Sequence, residues 1–157
     1  MKKFLAILLL GTALVSPSAA FAAQVTITGQ MNSYRGPEAY LAVYLAGPDG
    51  RYDSTLYVAG RKSRYYRDLS GWARYAAADA SLNLNGITGA SIGSGRSFTI
   101  NLELSDALIN AGYTIHIDSA VEERGTTTDD VVIPLDRSQS GVAQPGRGFV
   151  QSASVNL

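Results

Sequence analysis

The sequence contains no cysteine. This excludes disulfide bonds, thiol redox chemistry and cysteine-ligated metal sites, although small exported domains often depend on disulfides. Lysine is also scarce, because only three of the 13 basic residues are lysines and two of those are Lys2 and Lys3. Nucleic-acid-binding domains usually carry a marked excess of basic residues, whereas 13 acidic residues balance the basic ones here. We therefore expect no nucleic acid as a partner.

Histidine occurs once, at His116. A zinc site usually needs three or four ligands rich in histidine or cysteine, which this chain cannot supply alone. A Ser–His–Asp hydrolase would have to use the same histidine, and no Gly-x-Ser-x-Gly segment accompanies it. The alternating pattern of residues 113–118 places His116 on the opposite face of a strand from Ile115 and Ile117. We expect a histidine on a sheet face, and we predict no catalytic residue and no metal ligand.

The N-terminus has the three-part pattern of a cleavable secretory signal. Two lysines precede an apolar run at residues 4–15, a proline interrupts the pattern, and small residues follow at Ala20 and Ala22. The run is shorter than the roughly twenty apolar residues that a membrane-spanning helix needs. We predict a signal peptide at residues 1–22, a periplasmic location without membrane insertion after cleavage, and one domain at residues 23–157.

The remaining sequence predicts a mainly β domain. Residues 25–29 and 97–104 alternate apolar and polar side chains, and residues 40–59 have the pattern of a hairpin. The alanine-rich residues 69–80 predict one short helix. We expect an all-β, immunoglobulin-like β-sandwich of about seven strands with that helix, and a small barrel is the alternative.

A charged, threonine-rich segment at residues 122–130 is predicted to be a loop. The acidic residues in and near it do not have the spacing of the twelve-residue calcium loop. We therefore expect solvated carboxylates, which are Asp118, Glu122, Glu123, Asp129 and Asp130.

Several segments together resemble a family of predicted periplasmic proteins of unknown function. They are residues 45–67, the predicted helix with Trp72, residues 87–91 and residues 117–122. The resemblance spans most of the chain after the signal peptide. Members of that family tend to be encoded beside, or fused to, PepSY-type membrane proteins and flavin transferases. The resemblance therefore implies these two kinds of protein as partners.

Residues 85–91 (NGITGAS) are similar to the acceptor motif of covalently flavinylated domains. That motif reads Asp, two variable residues, Ser or Thr, Gly, Ala, and then Thr or Ser. In those domains a magnesium-dependent transferase takes FMN from FAD and joins it to the last hydroxyl through a phosphodiester. The resemblance implies FMN attached to Ser91, with Thr88, Gly89 and Ala90 as the small, mobile surroundings of the acceptor.

The match has two departures, because Asn85 stands where the motif has aspartate and Ser91 where threonine is commoner. The alternative interpretation of residues 85–91 is a polar loop with an Asn-Gly turn.

A basic and aromatic segment at residues 61–67 (RKSRYYR) is the second candidate site. Arginines can hold a phosphate and tyrosines can stack on a flat ring such as that of a flavin. The candidate contacts are Arg61, Arg64, Tyr65 and Arg67. The alternative is an exposed strand or connection whose charges protect a sheet edge from aggregation.

Two hypotheses of function follow. The first is a periplasmic redox carrier with FMN on Ser91, which passes electrons between a membrane reductase and an external acceptor. The second is a binding module without redox chemistry, which docks on a membrane partner through its loops or a sheet edge.

Overall fold

The computed structural model describes residues 21–157, so the predicted signal peptide lies outside it except for its last two residues. Within this range the chain forms nine β-strands and one α-helix. In chain order they are β1 (Ala22–Met31), β2 (Tyr40–Ala46), β3 (Tyr52–Ala59), α1 (Ser70–Ala78), β4 (Thr88–Gly89), β5 (Ser97–Ser105), β6 (Thr114–Val121), β7 (Gly125–Pro134), β8 (Gln144–Pro145) and β9 (Val150–Asn156). No helix among the described residues has the length and apolar character to cross a bilayer.

The strands form two sheets, with the orders β5-β1-β9-β8 and β4-β3-β2-β6-β7. All pairs are antiparallel except that of β3 with β4. Alternate side chains of the two sheets meet in one apolar core, which includes Val25 and Ile27 from β1 and Val43 and Ile117 from the other sheet. The predicted all-β sandwich with one short helix is therefore confirmed, and seven of its strands are longer than two residues.

The second sheet also buries its outer face. Every residue of β2 is buried, because α1 and the 3₁₀ turn at Ser63–Asp68 cover the side chains that point away from the sandwich. This outer cluster includes Tyr40, Tyr44, Leu69 and Trp72. The alanine-rich prediction for residues 69–80 is confirmed by α1, and the predicted hairpin is confirmed by the pairing of β2 with β3.

The prediction of a loop at residues 122–130 is wrong. The chain turns at residues 122–124, where Glu123 has a φ of 61°, and then enters β7 at Gly125. Three consecutive threonines, whose branched Cβ atoms favour extended backbone, pair this segment with β6. The expectation of solvated carboxylates is also wrong for Asp118 and Asp130, which are completely buried.

Candidate functional site

The acceptor-like segment lies at an edge of the second sheet. Thr88 and Gly89 form β4, which runs parallel to the end of β3. The Val58 amide donates to the Ile87 carbonyl over 2.9 Å, and the Gly60 amide donates to the Gly89 carbonyl over 2.8 Å. Thr88 and Ala90 are exposed, so an ordered edge strand, and not a free loop, presents this segment to solvent.

Gly89 packs closely against the side chain of Tyr57 on the neighbouring strand. A Cβ atom at this position would lie only 1.7 Å from the Tyr57 hydroxyl oxygen. The Tyr57 side chain on the neighbouring strand β3 therefore occupies the space of a Cβ atom at this position, and a larger residue would have to displace its hydroxyl end.

Ser91 lies between Gly89 and Ile92, whose backbones are both hydrogen-bonded to neighbouring segments. The amides of Ala39 and Ile92 each donate to the other residue's carbonyl, over 2.7 and 2.9 Å. Next to this bridge, the half-buried Ser91 hydroxyl donates to Glu38 Oε2 over 2.7 Å. The hydroxyl is thus reachable from solvent and already hydrogen-bonded to a carboxylate.

A cleft of about 600 Å³ opens beside Ser91, between the edge strands of the two sheets. Small-molecule sites in proteins commonly measure about 300–1,000 Å³. Tyr57, Phe98 and Ile100 contribute apolar surface to the cleft, and Glu38 and Arg96 contribute charge. Within residues 21–157, no carboxylate lies within ion-pair distance of the Arg96 guanidinium.

The basic and aromatic segment lies outside this cleft. Its 3₁₀ turn places the Arg64 guanidinium 4.8 Å from the centroid of the Tyr65 ring, and the Arg64 side chain also donates to the Tyr65 hydroxyl over 3.1 Å. The Tyr65 ring packs edge-on against Tyr40. The cleft is lined by Ala90 and Ser91 but by none of the candidate contacts Arg61, Arg64, Tyr65 and Arg67. The hydrogen bond from Gly60 to Gly89 nevertheless places the start of the segment beside the acceptor strand.

Comparison with models of protein families identifies the family of this chain. The model of a family described as "predicted periplasmic protein (DUF2271)" matches residues 22–152. The chain belongs to this family. The predicted resemblance and the periplasmic location are thereby confirmed. No curated protein and no solved structure matches the chain.

This DUF2271 protein contains a second polar cluster, which the sequence patterns did not predict. On the outer face of the second sheet, Asp118 accepts hydrogen bonds from the Trp72 amide (2.7 Å), the Asp129 amide (2.8 Å) and the Tyr44 hydroxyl (3.2 Å). Burial raises the pKa of the Asp118 carboxyl above its ordinary value. Burial, together with the neighbouring carboxylates, also raises the pKa of the Tyr44 hydroxyl.

The only histidine of the sequence belongs to the same cluster. Its Nδ1 lies 2.7 Å from Asp129 Oδ1, and its Nε2 lies 2.9 Å from Thr114 Oγ1. The Tyr44 ring stacks on the imidazole of His116 at 5.2 Å. This confirms that His116 shares a sheet face with Thr114 and Asp118, away from Ile115 and Ile117.

The second cluster joins α1 to the sheet. Among the described residues, no buried side-chain nitrogen or oxygen lacks a hydrogen-bond partner. The cluster therefore satisfies its own polar groups, as a structural network does. The alternation of Thr114, His116 and Asp118 along one strand was the sequence signal that could have revealed it.

Proposed function

We propose that this periplasmic protein is an electron carrier in which FMN is joined to Ser91 through a phosphodiester. The observation that supports this proposal best is the position of Ser91. Ser91 is the last residue of the acceptor-like segment, and its hydroxyl is accessible at a sheet edge. The residue also lines a cleft whose volume is in the range of small-molecule sites. A flavin transferase is the proposed donor of the group, and a PepSY-type membrane protein is the proposed redox partner.

The residues around Ser91 suit a flavin attached by its phosphate. Arg96 supplies a cation for the phosphodiester, and the half-buried Tyr57 side chain offers a surface for a flat, mostly apolar ring. The bound flavin would supply the electron transfer, while the chain would hold the ring and limit its contact with water. The electron-transfer step itself needs no catalytic acid or base from the chain.

The position of Ser91 at the edge of the sheet also suits modification by another enzyme. Thr88 and Gly89 form the outermost strand of the sheet and the small residue Ala90 follows it, so a transferase can approach Ser91 without unfolding the sandwich. The basic segment begins immediately after Gly60, whose amide bonds to Gly89, and its 3₁₀ turn lies on the outer face of the same sheet. Arg61, Arg64, Tyr65 and Arg67 are therefore proposed as outer contacts for the flavin or for the transferase.

The decisive experiment is the intact mass of the protein purified from the periplasm of cells that contain a flavin transferase. We expect a gain equal to one FMN less one water, together with flavin fluorescence that remains on the denatured protein. Ser91→Ala should abolish both signals. Ser97→Ala is the matched control, because Ser97 lines the same cleft, and it should leave both signals unchanged. An unmodified wild-type protein in the presence of its own transferase would contradict the proposal.

A second candidate function is a binding module without redox chemistry, and the outer edge of β5 favours it. Within the described part of the chain, this nine-residue strand pairs only with β1. Its other edge offers unpaired backbone donors and acceptors, to which an extended segment of a partner can add as a further strand. This becomes the preferred function if Ser91 carries no flavin.

A further inference from the structure

The contact between Ser91 and Glu38 bears on how Ser91 is modified. The acceptor motif has an aspartate where this chain has Asn85, and an amide is not a base. The fold brings a different carboxylate to the acceptor hydroxyl, from 53 residues upstream. We infer that Glu38 is the catalytic base that accepts the Ser91 proton when FMN is attached, an inference that rests on the function proposed above.

The geometry at the acceptor supports a direct role. Glu38 Oε2 lies 2.7 Å from Ser91 Oγ, which is within the range for proton transfer. Both residues adjoin the backbone bridge between Ala39 and Ile92, so the fold holds their main chains in register. Asn85 precedes β4 by three residues, in a turn whose backbone is held by a hydrogen bond from the Asn85 amide to the Asn83 side chain.

The attachment step balances without any oxidant or reductant. The Ser91 oxygen attacks the FMN-side phosphorus of FAD, and a new oxygen–phosphorus bond forms. The phosphoanhydride bond breaks, and AMP leaves with the electron pair of that bond. Glu38 takes the hydroxyl proton and then releases it to solvent, while the transferase supplies FAD and magnesium. The product places a phosphodiester anion beside the Glu38 carboxylate, and Arg96 in the same cleft offers the compensating positive charge.

The test is the rate of FMN incorporation into protein exported by cells that lack a flavin transferase. The purified protein is mixed with transferase, magnesium and excess FAD, and its intact mass is followed over time. Because general bases typically contribute a factor of about 10²–10⁴, we expect Glu38→Gln and Glu38→Ala to slow incorporation at least about tenfold. Added acetate should restore part of the rate to Glu38→Ala, and Glu38→Asp should be faster than Glu38→Gln.

Two matched variants serve as controls. Glu103→Gln changes an exposed glutamate on β5 and should react at the wild-type rate. Asn85→Asp restores the aspartate of the motif and should not raise the rate. Because Glu38 is exposed, its variants should keep the wild-type melting temperature.

The outcomes separate the two proposals. Failure of the wild-type protein to incorporate FMN overturns both the function and the role of Glu38. Normal incorporation by the wild type and by Glu38→Gln overturns only the role of Glu38. Slow incorporation by Glu38→Ala that acetate does not improve also overturns it, since a base should be replaceable by a small carboxylate.

Discussion

Two neighbouring carboxylates show how strongly the fold sets the properties of single residues. Asp118 is completely buried, and burial raises the pKa of its carboxyl. Burial acts in the same direction on the half-buried Asp129. Hydrogen bonds from His116 and Tyr44, and the charges of His116 and Arg147, outweigh burial and hold the pKa of Asp129 below its ordinary value.

The lowered pKa of Asp129 makes a prediction about pH. A carboxylate whose pKa is lowered by folding stabilises the fold above its ordinary pKa, which is 3.8 for this group. That contribution is lost as the pH falls from 3.8 through the lowered value. Asp129→Asn should therefore lower the melting temperature at about pH 7, and the difference from wild type should narrow below 3.8.

Thermal denaturation across this pH range checks the prediction. Asp53→Asn changes an exposed aspartate on β3 and should shift stability by less than about 0.5 kcal/mol. A difference for Asp129→Asn that stays constant down to acid pH would show that the contacts of Asp129 do not depend on its charge.

At the scale of the element, helix α1 depends on the sheet for its N-terminal cap. The N-cap residue, Leu69, makes no side-chain hydrogen bond to the first turn. The Asp118 carboxylate accepts from the Trp72 amide instead, so a buried strand residue satisfies a helix amide. This contact requires a close approach, because a Cβ on Gly71 would lie 2.4 Å from Asp118 Oδ2 and 2.3 Å from Thr128 Cγ2.

The substitution Gly71→Ala tests how closely α1 packs on the sheet. It has two opposing effects on the free energy of unfolding. Helix propensity favours alanine over glycine by about 1 kcal/mol, whereas overpacking in a tight contact costs about 1–3 kcal/mol. We expect the steric effect to dominate and urea denaturation to show a net loss of stability. Ala77→Gly, at an exposed position of the same helix, should cost about 1 kcal/mol and isolates the propensity effect. A more stable Gly71→Ala protein would contradict the close packing of α1 against Asp118 and Thr128.

Element boundaries were predictable where local chemistry and tertiary contacts agree. The β2–β3 hairpin and α1 follow from turn residues and alanine content, which act within a few neighbouring residues. The threonines of β7 were assigned to a loop because their charged neighbours resemble a solvated segment. Pairing with β6, and the hydrogen bonds that Asp130 accepts from Ser119 and the Val150 amide, make that segment a strand.

At the scale of the whole molecule, the two sheets share one core and should unfold together. Ile117 is completely buried in that core, so Ile117→Ala should cost about 2–5 kcal/mol. Fluorescence of Trp72, which reports on the outer layer, and circular dichroism, which reports on both sheets, should give the same urea midpoint. Val132→Ala, at an exposed position of β7, should change stability by less than about 0.5 kcal/mol. Separate midpoints for the two probes would contradict a single cooperative unit.

The sequence alone determined the mainly β architecture, the short helix, the periplasmic family and the acceptor-like segment, because each depends on residue types and spacings within short stretches. Only the tertiary structure decided which distant groups meet. The backbone bridge between Ala39 and Ile92 brings Glu38 to Ser91, and the packing of α1 on the second sheet brings its first turn to Asp118. The fold also separates the cleft beside Ser91 from the basic segment at residues 61–67. These contacts depend on sheet order and register, which local sequence patterns do not encode.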